Sequence, residues 1–282
     1  MLKNNRRENV KCYHPLADEF CEKTGWKKDY KYTLEYWMAI RRVINPLGYK
    51  EVGEQPCSGA DALGFFLVTD AKLGIFVDSL PFGSEEESKQ ARFKLDITED
   101  DYWSLKSSLG GWVTGFTPSF VVAATKFLRI SLRWELEAMG AEAIMIREIE
   151  RNLHQIDFEW KYWGEERSKH RRILFFSYTD AQDTKNYPQR LRDLLREGID
   201  FYFEKASFGT EGYYTGCFDG GSRWEQFTSI TNLKPDSILI VDHHPGNKIE
   251  AFEEIKSDYL LPLEEKGATF GVGSRAFLWR RV

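Results

Sequence analysis

The 282-residue sequence is poor in cysteine, in excess positive charge and in long apolar runs, and each scarcity excludes something. Its four cysteines, Cys12, Cys21, Cys57 and Cys217, are scattered and form no CxxC pair, which argues against a structural zinc site and against a disulfide framework. The formal net charge is −5, so the chain lacks the basic field by which proteins bind nucleic acid in general. No run approaches ~18 consecutive apolar residues, and the polar start MLKNNRRENVKCYH has no apolar signal core. The expectation is a reduced, cytoplasmic protein with no membrane span.

What is present is a globular composition with an aromatic share of 15%, high enough to predict an aromatic-rich core. Leu34, Trp37, Met38 and Arg41 recur at helical spacing until Asn45-Pro46-Leu47-Gly48, predicting a helix over 34–44. The apolar runs 63–68 (LGFFLV) and 73–77 (LGIFV), separated by Thr69-Asp70-Ala71-Lys72, read as a β-hairpin, and 92–97 (RFKLDI) as a further strand. Residues 119–139 read as a helix. Ile146, Ile149, Leu153, Ile156, Trp160 and Trp163 follow at intervals of 3, 4, 3, 4 and 3, with charged residues between them. That spacing predicts a long amphipathic helix over 142–165, packed on the 119–139 helix or pairing two copies as a homodimer. Residues 1–165 are thus expected to form an α+β region with a helical hairpin.

From residue 166 strands and helices alternate. Strands are predicted at 172–178 (RILFFSY), 199–203 (IDFYF), 214–218 and 237–241 (SILIV), and helices at 188–197 and 222–233. A further helix begins at Asn247 and carries Ile249, Phe252, Ile255, Tyr259 and Leu263; a closing strand or hairpin lies in 268–282. This order predicts a doubly wound, Rossmann-like α/β sheet over 166–282.

Ligands of such sheets bind beyond the carboxyl ends of the strands. That rule selects loops bearing Asp180, Asp183, Asp219, Asp242, His243 and His244. Two carboxylates and a histidine can hold a divalent cation or exchange a proton with a small-molecule substrate. Adjacent residues on extended chain point to opposite sides, so His243 and His244 do not make a two-histidine metal site. Turn formation by Asp219 with Gly220, and capping by Asp242, account for the same residues without function.

The run FDGGSRWEQFTSITNLKPDSILIVDHH resembles the segment from strand four to strand five of class I S-adenosylmethionine-dependent methyltransferases. Asp219-Gly220 stands where those enzymes carry an Asp-Gly turn, Leu233-Lys234-Pro235-Asp236 where they turn into strand five, and Asp242 where that strand ends on an acid. GSRAFLWRRV resembles their last strand. The resemblance implies a methyl transfer to an oxygen or nitrogen acceptor, with S-adenosylmethionine as cofactor and His243 as general base beside Asp242. It implies that 172–178 is strand two, that Asp180 or Asp183 lies near the acid on the cofactor ribose, and that Asp219 and Gly220 contact the cofactor. The glycine-rich turn after strand one would then fall where Arg147-Glu148-Ile149-Glu150 stands, and glycine is missing there.

The stretch RRILFFSYTDAQDTKNYPQRLRDLLREGIDFYF is also similar to the opening of TIR domains, some of which hydrolyse NAD with a glutamate on a later helix; Glu250, Glu253 and Glu254 lie in the helix predicted there. A non-catalytic α/β interaction module fits the same pattern.

Overall fold

A computed structural model describes residues 30–48, 51–56, 62–78, 82–84, 86, 128–162, 165–179, 183–204, 231–241, 251–265, 268, 270 and 275–282. Its helices are α1 (Tyr30–Ile44), α2 (Ala62–Thr69), α3 (Leu128–Ala138), α4 (Gln189–Glu197) and α5 (Leu261–Glu265). Its strands are β1 (Val52–Pro56), β2 (Leu73–Val77), β3 (Glu142–Glu150), β4 (Leu153–Trp160), β5 (Lys169–Phe176), β6 (Ile199–Phe203), β7 (Leu233–Val241), β8 (Phe252–Glu254) and β9 (Phe277–Arg281).

All nine strands join one sheet in the order β3-β4-β5-β2-β1-β6-β7-β9-β8. The five strands β5, β2, β1, β6 and β7 are mutually parallel, while β4 runs against β5 and β9 against β7. Strands from both sides of the expected division at residue 165 therefore alternate in a single sheet. Apolar residues of α1, α2, α3 and α5 share the core on one face, and those of α4 share the core on the other.

The α2 helix lies unusually close to the sheet because β1 and β2 carry glycine beneath it. A Cβ on Gly53 would stand 2.6 Å from the Phe65 ring and 3.2 Å from Phe201 Cβ, and one on Gly74 would stand 3.0 Å from Phe65. Phe65 fills that space, fully buried, and meets Phe66, Phe76 and Phe203 edge to face at centroid distances of 5.1, 5.2 and 5.8 Å. Edge-to-face geometry is the favourable arrangement for ring quadrupoles.

Two acids tie the amino ends of the strands. Asp200 accepts hydrogen bonds from the backbone N–H groups of Glu51 and Val52 at 2.8 and 2.9 Å and pairs with Lys234 at 3.3 Å, joining β1, β6 and β7. Asp70, at φ 53°, pairs with Arg41 of α1 at 2.8 Å and with Arg171 of β5. Arg41 also covers the Tyr162 ring at 3.6 Å.

Several expectations are corrected. The segment 142–165 forms no helix: residues 142–160 are the β3–β4 hairpin, turning at Asn152 with φ 60°. A register shift between Glu148 and Glu150 inserts an extra residue between Ile146 and Ile149, and β4 is buried on both faces, so its apolar positions Leu153, Ile156 and Trp160 do not alternate. The helix-mediated homodimer loses its helix with this change; Trp163 lies outside the described residues. The run 63–68 is helix α2 rather than a strand, because every residue of 62–69 is buried and an apolar stretch of that length shows no period. The helix expected from Asn247 is replaced by β8 and the short α5. Glu253 and Glu254 therefore stand exposed on an antiparallel strand, not on the helix that the TIR resemblance requires; Glu250 lies outside the described residues. The strands expected at 92–97 and 214–218 and residues 222–230 of the helix expected over 222–233 also lie outside them; 231–232 are not helical and Leu233 begins β7.

The Gly53–Phe65 contact yields a stability prediction. Gly53→Ala is expected to cost about 1–3 kcal/mol in urea unfolding, as overpacking of a dense core does. In a Phe65→Leu background the added methyl group is expected to cost measurably less, because the two residues share one space. Strictly additive losses would show that the helix does not rest on that glycine.

Candidate functional site

The parallel strands define where a ligand would sit. Chain order takes β1 to β2 and β5 on one side, then returns to β6 and β7 on the other. β1 and β6 are neighbours, and the parallel strands that follow each in the chain, β2 and β7, lie on opposite sides of the pair. A doubly wound sheet opens its crevice at that switch point, beyond the carboxyl ends. The rim is formed by Pro56, Val77, Phe176, Phe203 and Val241.

Polar groups gather at this rim although the strands below are apolar. Asp78 directly follows β2 and is buried; its backbone N–H donates to Phe176 O at 3.0 Å, and its carbonyl accepts from Thr179 N–H at 3.2 Å. These bonds extend the β2–β5 pairing past the last strand residues. Glu204 directly follows β6, fully buried; its N–H donates to Ile240 O at 2.8 Å and its carboxylate accepts from Tyr202 Oη at 2.9 Å. On β1, Gln55 is buried and neither polar atom of its amide has a partner among the described residues. Leaving a buried amide unpaired costs about 1–3 kcal/mol, so such a group is a place to look for function.

Glu54 points to the opposite face of β1 from Gln55, in register with Ile75 and Tyr202. It is fully buried, and the one hydrogen bond it accepts comes from the Thr231 hydroxyl at a long 3.5 Å. No cation among the described residues faces it. Burial therefore pushes its carboxyl up to about 8, against a small lowering by Thr231. At neutral pH Glu54 is a protonated acid two residues short of the end of β1.

The predicted site residues fall differently. The layout that placed Asp180 and Asp183 near a ribose took 172–178 for the second parallel strand. The sheet makes β5 the third and Leu73–Val77 the second, so the acid following strand two is Asp78. Asp183 is exposed and accepts from its neighbour Asn186 at 2.5 Å, a local turn contact. Asp180, Asp219, Gly220, Asp242, His243 and His244 lie outside the described residues; Asp242 and His243 continue the chain from Val241 at the rim. Likewise strand four is Ile199–Phe203 and ends on Glu204, not on Phe218. The sequence did carry a signal for Asp78: an acid ending the run LGIFV about twenty residues after the first strand, the spacing of the ribose-binding acid in dinucleotide folds. Taking 63–68 and 73–77 as a hairpin hid it.

A groove of about 430 Å³ lies elsewhere, between α4 and the amino halves of β2 and β5, where Arg172, Arg190, Asp193 and Glu197 balance one another. Among the described residues no group of three His, Cys, Asp or Glu side chains could hold a metal ion, and no helix is long and apolar enough to cross a membrane.

No protein-family model matches the sequence, and no curated protein matches it. Among solved structures, a Haemophilus influenzae protein provisionally described as a methylase aligns with 95% of this chain and 99% of its own, at 13% identity and a TM-score of 0.34. A score of that size does not establish a shared fold.

The Glu54 carboxyl makes stability depend on pH. Its folded pKa lies above the unfolded one, so its contribution is complete below about 4.5 and is lost as pH rises through about 8. His154, stacked on Phe82 at 4.0 Å and lowered to about 4 by burial, acts with the opposite sign: stability falls as pH drops from about 6.5. The Glu54 effect is therefore read between about pH 7 and 8, above the His154 window. There the wild type should lose up to ~1.4 kcal/mol per pH unit, and Glu54→Gln should be flat. Equal slopes for the two proteins would show that Glu54 is not held neutral.

Proposed function

We propose that the chain binds S-adenosylmethionine at the switch point and transfers its methyl group to an oxygen or nitrogen atom of a small-molecule acceptor. One observation carries this reading: the five parallel strands wind outward in two directions from the β1–β6 pair, and the second of them ends on a buried acid, Asp78. Ligand binding at such a crevice, with an acid at that position on a ribose, is the general behaviour of doubly wound nucleotide-binding sheets. The methyl-transfer part rests on the likeness of 219–242 and of the closing strand to methyltransferase segments.

The residues at the rim fit an adenosyl ligand. Asp78 offers a carboxylate for paired ribose hydroxyls. The Gln55 amide, buried and without a partner among the described residues, offers both a donor and an acceptor. Glu54 is a carboxyl with no cation beside it among the described residues, at the same end of β1. Bound S-adenosylmethionine supplies an activated methyl group. The protein's part is to hold the acceptor in line with it and to exclude water, and correct alignment accounts for a large share of the barrier in such reactions. His243, which follows β7, takes the acceptor's proton in this reading, with Asp242 orienting it. Asp219 and Gly220 contact the cofactor, or Asp219 helps to hold a divalent cation.

Calorimetry tests this directly. Both S-adenosylmethionine and S-adenosylhomocysteine are expected to release heat on binding, and NAD is not. Asp78→Asn should weaken both by at least about tenfold, the loss of charge-assisted hydrogen bonds, without lowering the melting temperature by more than a few degrees. Absence of heat with either adenosyl compound would overturn the proposal and leave a non-catalytic module.

A further inference from the structure

Tyr178 stands at the rim in a conformation that its side chain does not favour. Its φ is 63°, in the left-handed region where Cβ crowds the following carbonyl. Among the described non-glycine residues with positive φ, the others are Asp70, Ala143, Asn152, Asp236 and Ala251, all small or able to bond their own backbone. Tyr178 alone among them carries a ring. The neighbouring backbone over-determines its position: Ser177 N–H donates to Asn152 O at 2.9 Å, and Thr179 N–H donates to Asp78 O at 3.2 Å. The Ser177 hydroxyl reinforces the first of these at 3.3 Å.

A large aromatic side chain is usually kept in a disfavoured backbone conformation because its ring is packed. Here it is not. Tyr178 is 66% exposed, whereas the neighbours Ser177 and Thr179 are buried. A glycine or asparagine would adopt this turn without strain. The ring therefore contributes little to the fold and is held in solvent one residue from the backbone bond to Asp78. Strained residues of this kind collect where a ligand is bound. A flat aromatic surface open to water is suited to another flat aromatic surface, and every nucleobase has one.

We propose that Tyr178 is a stacking platform for the base of a nucleoside ligand whose sugar is held by Asp78. This rests on the reading of the rim as an adenosyl-ligand site and adds to it the residue that recognises the base.

The test compares wild type with Tyr178→Gly, Tyr178→Asn and Tyr178→Phe, measuring affinity for S-adenosylhomocysteine and for adenosine by calorimetry, and the melting temperature of each protein alone. Tyr178→Gly and Tyr178→Asn should melt at or above the wild-type temperature yet bind both ligands roughly five- to a hundredfold more weakly, the range that loss of one base–aromatic stack gives. Tyr178→Phe should bind as wild type does. Unchanged affinity in the glycine and asparagine variants, or a melting temperature lowered by many degrees, would overturn the stacking role while leaving the adenosyl site standing. If the wild type bound neither ligand, the adenosyl site itself would fall.

Discussion

The seating of Phe65 on Gly53 and Gly74 is the constraint from which the rest of the molecule follows. Two glycines on adjacent central strands let the α2 helix approach closer than any side chain would allow, and a fully buried ring occupies the space. Because α2 is the first crossover, its depth fixes how the chain leaves β1 and re-enters as β2. The crossover runs from Pro56 at the carboxyl end of β1 to Leu73 at the amino end of β2, so a packing contact on one face of the sheet helps to set how the two strands lie side by side. Phe203 at the end of β6 touches the same ring at 5.8 Å. The three strands that border the switch point are thus registered by one aromatic residue.

Charge is distributed along the strands in a way that separates structure from chemistry. At the amino ends the acids are matched: Asp70 meets two arginines and Asp200 meets a lysine and two backbone N–H groups. Each of these carboxylates ties neighbouring elements together through charge-assisted hydrogen bonds. Toward the carboxyl ends Glu54 meets only a distant hydroxyl and gives up its charge instead. Desolvation wins there because no opposite charge among the described residues offsets it. Among the described residues the fold thus compensates Asp70 and Asp200 at the amino ends and leaves Glu54 without an opposite charge toward the carboxyl ends.

The parts of this architecture that were legible in the sequence are those with ordinary physics. Strands β5, β6 and β7 end in apolar runs buried on both faces, ILFF, FYF and ILIV, and α4 shows Leu191 and Leu195 on one side with Gly198 at its end. The hairpin of β3 and β4 was not legible because a bulge interrupts the alternation of β3 and because β4 is buried on both faces. The most informative failure is β1. VGEQP has one apolar side chain larger than proline, places Glu54 and Gln55 in the middle of the sheet and ends on proline, so it does not read as a central strand at all. Its polar and small residues run against strand propensity, and the pairing with β2 and β6 overrides it. Reading 172–178 as the second parallel strand moved the candidate acid that follows strand two from Asp78 to Asp180 and Asp183.

The account stands on the rim of β1, β2, β5 and β6 being a binding crevice, and hydrogen exchange with and without S-adenosylhomocysteine measures that directly. Slowed exchange confined to the amides of Gln55, Asp78, Ser177, Tyr178, Thr179, Glu204 and Val241, with the amino-end amides of Val52, Leu73 and Ile199 unchanged, is the predicted footprint. No protection, or protection centred on the amino ends beside α4, would contradict it.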